Sequence, residues 1–334
     1  VKQDLLSPHL FGNEAGEDED IQVLSSYFVE KPSFKQFYES SSRFLVVRSR
    51  KGIGKSALLR KTLASAELQD GTVALYVKGS DLMALQSIGS STPHDLVYGW
   101  QQRICSRIAV ELGRKLKLAL GDDAISLVES AELAGFKGRN LIGTLTDRLR
   151  LRIKGSELAI EKLVPPSHQP LLTRYLEGKD VTVWLLVDDI DATFLNREDQ
   201  RLLISSFFSA CRNLVREVEG LVIRASVRTD VWAVLAQYDE SLDKCEQYMT
   251  DLCWSRRETG LILRKKIASY FRRQYPGIEA YRYLDPESKD DSILSLVFVT
   301  RFRWGRDNVP ADRPIHILSA GRPRWAAQLC KLAG

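Results

Sequence analysis

Long apolar runs, metal-ligand spacings and internal repeats are all missing from this sequence. No stretch approaches the roughly 18 consecutive apolar residues that a membrane-spanning helix needs. The N-terminus, with Asp4, Pro8 and an acid cluster, lacks the basic-then-apolar layout of a signal peptide. A cytoplasmic protein without membrane contact is expected. The five cysteines, at 105, 211, 245, 253 and 330, are odd in number and contain no CxxC, which fits neither a disulfide framework nor a zinc site. Reduced and mostly buried thiols are expected. His9, His94, His168 and His316 show no ligand spacing, and no Gly-x-Ser-x-Gly elbow or Cys/His pair points to another class of hydrolase. Low-complexity tracts are also missing.

What remains is ordinary globular composition: 334 residues, 44% hydrophobic and 27% charged, with room for one large or two modest domains. The net charge of +5 tolerates a polyanionic partner without requiring one. The sequence starts at Val1 and stops inside a helical pattern, Arg322 to Ala333, so a piece of a longer polypeptide is expected.

Four short aliphatic runs stand out: Phe44 to Val47, Thr72 to Val77, Val181 to Val187 and Leu221 to Val227. Runs of this kind without polar alternation suit strands buried on both faces of a parallel sheet. Helical patterns between them, including Lys55 to Glu67 and Gln200 to Val218, make the alternation βα in kind. Tyr248 to Trp254 is a candidate fifth strand. From about 91 to 178 the pattern turns helical and is broken by glycines and Pro165-Pro166, too long for a simple crossover; a helical insertion is expected. The implied organisation is an N-terminal segment 1–41, a core 42–255 and a helical lid 256–334.

Arg43 to Leu59 reads RFLVVRSRKGIGKSALL: an apolar strand, a loop with Gly52 and Gly54, then Lys55-Ser56 opening a helix. That context is the one a phosphate-binding loop requires. Backbone amides of residues 51 to 56 would turn inward around phosphates, and the helix N-terminus would add partial positive charge. Lys51, Gly52, Ile53, Gly54, Lys55, Ser56 and Ala57 are the candidate cradle. Lys55 would reach the β- and γ-phosphates, and Ser56 would ligate magnesium. Ser49 stands where the consensus has its first glycine, so backbone strain is expected at that position.

Val181 to Asp191, VTVWLLVDDID, is an apolar strand ending in acids, an arrangement suited to a cation or to a water awaiting activation. Asp188 is expected to hold magnesium, and Asp189 to polarise the attacking water. The next strand delivers Arg228 at its carboxyl end, where ligands bind in open α/β sheets; Arg228 would sense a γ-phosphate or act on a neighbouring subunit. Ser226 and Thr229 are weaker candidates. In AGRPRW, 320 to 325, a turn starts a helix whose first residues display Arg322 and Arg324, either of which could report the γ-phosphate to the lid. Solvated arginines are the plainer alternative for 228, 322 and 324.

Together these pieces resemble the AAA+ and STAND ATPases, especially the initiator-like branch and bacterial P-loop ATPases found among defence genes. DDID is similar to the D-E-x-D strand end of those families, Arg228 to a sensor-1 or strand-4 arginine, and GRPR to a sensor-2 element. Leu10 to Glu14, LFGNE, is similar to an F-x-G-R-E segment that touches adenine, with Asn13 in place of arginine; by that resemblance Phe11 and Gly12 would contact the base. The resemblance implies a P-loop NTPase fold, ATP and Mg2+ as cofactors, nucleotide-dependent lid movement, and assembly into a homo-oligomer within a larger complex, with antiphage defence as one setting.

Three functions follow as expectations: an ATPase switch or motor, a nucleotide-gated scaffold with little hydrolysis, or an initiator-type DNA-binding ATPase. The last would use the basic stretch Arg256 to Arg273, for which a solvated helix face is the plainer reading. The basic stretch Lys137 to Lys154 suits subunit contact or DNA equally. Five acids between Glu14 and Asp20 read as a solvated loop or helix start, and the six tryptophans as core.

Overall fold

The computed structural model describes residues 7, 9–13, 16, 18–83, 92–115, 168–177, 181–288, 292–299 and 302–333. Five strands form one parallel sheet: β1 (Phe44–Ser49), β2 (Thr72–Lys78), β3 (Thr182–Asp188), β4 (Leu221–Arg228) and β5 (Met249–Asp251), in the order β2-β3-β4-β1-β5. Around them and beyond them run helices α1 (Ile21–Tyr27), α2 (Lys55–Glu67), α3 (Pro93–Lys115), α4 (His168–Leu176), α5 (Glu198–Glu217), α6 (Thr229–Tyr238), α7 (Arg256–Gln274), α8 (Asp312–Leu318) and α9 (Pro323–Ala333). A hairpin, β6 (Phe302–Trp304) and β7 (Asp307–Val309), is paired antiparallel.

The unbroken apolar runs are explained by burial on both faces of the sheet. Val183, Leu185 and Val187 of β3 pack with Trp100 of α3 and Phe207 of α5 on one side. Trp184 and Leu186 face Phe34, Phe37 and Leu58 on the other. Contiguous packing of this sort is the main source of stability, with about 1.5–3 kcal/mol for each large side chain taken out of water.

One polar side chain interrupts the second face. Arg224 of β4 is fully buried, donates to the carbonyls of Phe37 (3.1 Å), Gln36 (3.2 Å), Glu39 (2.7 Å) and Ile223 (3.1 Å), and lies over the Trp184 ring at 4.8 Å. It ties the segment before β1 onto the sheet.

All five expected strands are present, and α3 and α4 account for both ends of the expected helical insertion. Its middle, 116–167, including the basic stretch 137–154, lies outside the described residues. The lid region is less purely helical than its periodicity indicated, because strands of three residues around Gly305 and Arg306 are too short to show alternation. The strain expected at Ser49 is not found. Ser49 is the last residue of β1, and the left-handed angles fall at Gly52 (φ 83°) and Gly54 (φ 118°), after the chain has left the strand.

Most of the basic residues of α7 are engaged within the protein, with Arg257 exposed. Arg256 pairs with Asp312 at 3.0 Å and Lys265 with Glu287 at 3.3 Å. Arg264 donates to the Pro286 carbonyl at 2.8 Å, Lys266 to that of Phe11 at 2.6 Å, and Arg272 to that of Leu284.

Candidate functional site

The register sets β1, β3 and β4 level at their carboxyl ends: Ser49 lies beside Arg228, and Val187 beside Ala225. A cavity of about 310 Å³ opens there, the position where open α/β sheets bind ligands. Its lining combines the loop and first turn of α2, residues 51–58, and Asp189, Asp191, Arg228 and Arg324 with the apolar or aromatic Leu24, Tyr27, Phe28, Val29, Phe34, Trp254 and Ile262, and with Asn13 and Lys266.

The loop is held from outside by its carbonyls. Gly52 O accepts from Arg324 N at 3.2 Å, Ile53 O from Trp254 Nε1 at 2.7 Å, and Gly54 O from Leu58 N at 3.0 Å. Among the described residues, none of the amides of 51–54 has a backbone acceptor, and the amides that follow belong to the unpaired first turn of α2. A cluster of unpaired amides at a helix N-terminus suits an anion. A Cβ built at Gly54 would meet nothing within 4 Å, so there φ, and not crowding, calls for glycine.

The acids divide by environment. Asp188 is buried, and its carboxylate accepts from Tyr76 OH and from Ser226 Oγ, each at 2.6 Å. Asp189, in the left-handed region (φ 50°), donates its amide to Ser226 Oγ at 3.0 Å and lies on the cavity wall. Asp191 is fully buried; its Oδ2 accepts from Arg228 N (2.9 Å) and Arg228 Nε (2.8 Å), while Oδ1 has no partner. An unpaired buried carboxylate oxygen costs about 1–3 kcal/mol or more. Asp191 and Ser56 both line the cavity, oxygen donors that suit a divalent cation arriving already chelated by phosphate. Among the described residues no cluster of three or more acidic, histidine or cysteine side chains could hold a metal alone.

Lys51 through Ala57, Asp189, Arg228 and Arg324 are thus brought to one cavity. Asp188 stands behind the wall with its oxygens engaged. Phe11 packs against Phe298, with ring centroids 5.9 Å apart, in the core of the lid, and Gly12 lies over Glu19 and Lys266. Arg322 stacks on Trp325 at 4.0 Å. None of these four lines the cavity.

Three groups escaped sequence reasoning. Asp191 was visible as the last acid of DDID but had no assigned role. Glu19, read with its neighbours as solvated, is buried and accepts from Tyr27 OH (3.0 Å) and Asn13 N (2.7 Å). Lys266 falls on the apolar stripe of α7 with Leu263, Ile267 and Tyr270, the one sequence signal that it is buried. Its ammonium lies 4.4 Å from the Tyr27 ring centre. Burial lowers its pKa to about 8, against a smaller upward pull from Glu19, with Lys331 adding to the fall and Cys330 opposing it.

The sign of the effect follows. Between pH 8 and 10 the unfolded chain keeps the Lys266 proton that the folded chain releases, so the contribution of this group to stability rises with pH. The buried thiols of Cys105, Cys211, Cys245 and Cys330, whose pKa burial raises, pull the other way from about pH 9, and Tyr27, raised by burial and Glu19, does so above pH 10. Chemical denaturation at pH 7.5 and 9.5 is expected to show a change more favourable in the parent than in Lys266→Met by on the order of 2 kcal/mol; an equal change in the two would assign it elsewhere.

No protein-family model matches the chain, and no curated protein matches it. The fold that stands is an α/β parallel sheet flanked by helices, and none of the described helices is long and apolar enough to cross a membrane.

Proposed function

We propose that the chain is a P-loop NTPase of AAA+ or STAND type that binds and hydrolyses ATP with magnesium and works as a nucleotide-driven switch in a homo-oligomer, with bacterial antiphage defence as a setting. The observation that carries the reading is the cavity itself. It brings together a run of amides without backbone acceptors, Lys55, and the aromatic side chains Tyr27, Phe28, Phe34 and Trp254, a lining that suits a molecule with a polyphosphate tail and a flat base.

In this reading the amides of 51–56 and Lys55 bind the phosphates, and the aromatic side chains take the base and exclude water. Ser56 and Asp191 would hold magnesium, whose chemistry is to neutralise charge on the phosphates. Asp189 holds the attacking water and accepts its proton. Asp188, fixed by Tyr76 and Ser226, keeps the strand end rigid and can reach the metal only through water. The contact of Arg324 N with Gly52 O gives the lid a direct connection to the phosphate loop.

A second reading, a nucleotide-gated scaffold with little hydrolysis, is favoured by the engagement of Arg228 with Asp191, which occupies the cation otherwise assigned to the γ-phosphate. Calorimetry with ATP and magnesium tests both readings at their root, with light scattering of the same samples recording assembly. Micromolar binding is expected; no heat from folded protein removes both.

A further inference from the structure

The hairpin β6–β7 has no part in the nucleotide reading. Every residue from 302 to 308 is exposed, and Val309 is buried. Phe302 lies opposite Val309, Arg303 opposite Asn308 and Trp304 opposite Asp307. Directly opposed residues share a face and neighbours alternate, so Phe302 and Trp304 occupy one face together with Asp307, anchored at its foot by Val309. Phe302 and Trp304 remain 36% and 39% exposed. Arg303 lies on the other face and Arg306 at the turn; among the described residues neither has a hydrogen-bonding or ion-pair partner.

We propose that this hairpin binds single-stranded nucleic acid. Alternate residues of a strand stand about 6.8 Å apart, the separation at which two rings can hold one base between them or carry two successive bases. Stacking of this kind tolerates sequence because every base has a π-face. The unpaired arginines supply the complementary charge for the phosphates. A duplex keeps its base faces stacked away, so the aromatic face selects single strands. Arg306 and Asp307 place charge at the tip, where insertion into lipid would need apolar groups. In the expected DNA-binding helix, α7, Arg256, Arg264, Lys265, Lys266 and Arg272 are engaged within the protein, while Arg257 and Arg273 are exposed with no exposed aromatic ring of that helix beside them on which a base could stack; the hairpin combines exposed rings with free charge.

The test is fluorescence anisotropy of labelled oligo-dT and oligo-rU with the full chain, at salt from about 50 to 200 mM. Phe302→Ala/Trp304→Ala is expected to weaken binding at least about tenfold. Arg303→Gln/Arg306→Gln, which removes two exposed and unpartnered groups and so leaves folding unaffected, is expected to lower the slope of log K against log salt by about 1.4. Photo-crosslinking of an iodouracil oligonucleotide should map to Trp304 or Phe302. Failure to bind at low salt, equal binding by parent and both variants, or crosslinks confined to other elements would each overturn the proposal. Hairpin-dependent binding to phosphatidylserine vesicles without oligonucleotide binding would also overturn it and assign the surface to a membrane. ATP calorimetry is unaffected by these variants, so this result is independent of the nucleotide reading.

Discussion

Lys55→Ala is expected to weaken ATP binding at least a hundredfold and to bring phosphate release to background. Lys55 is buried on the cavity wall among amides without backbone acceptors, so the phosphates would lose the buried cation of the loop, while Lys51 beside it is exposed and screened by water. Loss of a charge-assisted bond from a buried site typically costs several kcal/mol, and removal of a donor aimed at developing charge about 10²–10³ in turnover. Asp189→Asn separates binding from chemistry. It is expected to retain ATP affinity within about threefold, because the amide keeps the size of the side chain, and to lose most turnover, because it can no longer accept a proton. Steady-state phosphate release and calorimetry on the same preparations decide the matter. Equal low rates in the parent and Asp189→Asn would select the scaffold, and unchanged ATP affinity in Lys55→Ala would end the phosphate-loop assignment.

The second large effect concerns folding. Arg224→Met is expected to cost about 3–5 kcal/mol, the range for removing one partner from a buried charged network. The thioether fills part of the volume but leaves the carbonyls of Gln36, Phe37 and Glu39 without the donor they share. Burial alone pushes the Arg224 pKa down, to about 9, so the guanidinium remains charged at neutral pH and needs those acceptors. Denaturant titration reads the loss. A change below about 1 kcal/mol would mean that water replaces the guanidinium and that the segment before β1 is not held by it.

Much of the framework was legible in the sequence. The strands were visible because burial on both faces leaves no polar residue to interrupt them, and the loop because Gly52 and Gly54 stand between a strand and a helix. Ser49 was misjudged because the consensus records spacing and not where the strand ends. The base-side assignment of Phe11 rested on a four-residue similarity, and nothing local reveals that a lid helix takes up its ring. Lys266 and Glu19 form a buried group across 247 positions of sequence, a juxtaposition that no window captures.

By itself, then, the sequence determined the parallel sheet, the glycine loop between β1 and α2 and the acids at the end of β3, because each depends on residues adjacent along the chain. Tertiary structure alone decided the partners: that Asp191 holds Arg228, that Tyr76 and Ser226 occupy Asp188, and that Lys266 lines the cavity. Hydrogen bonds and desolvation depend on distances between side chains from different elements, and those distances are set only once the packed core fixes the elements against one another.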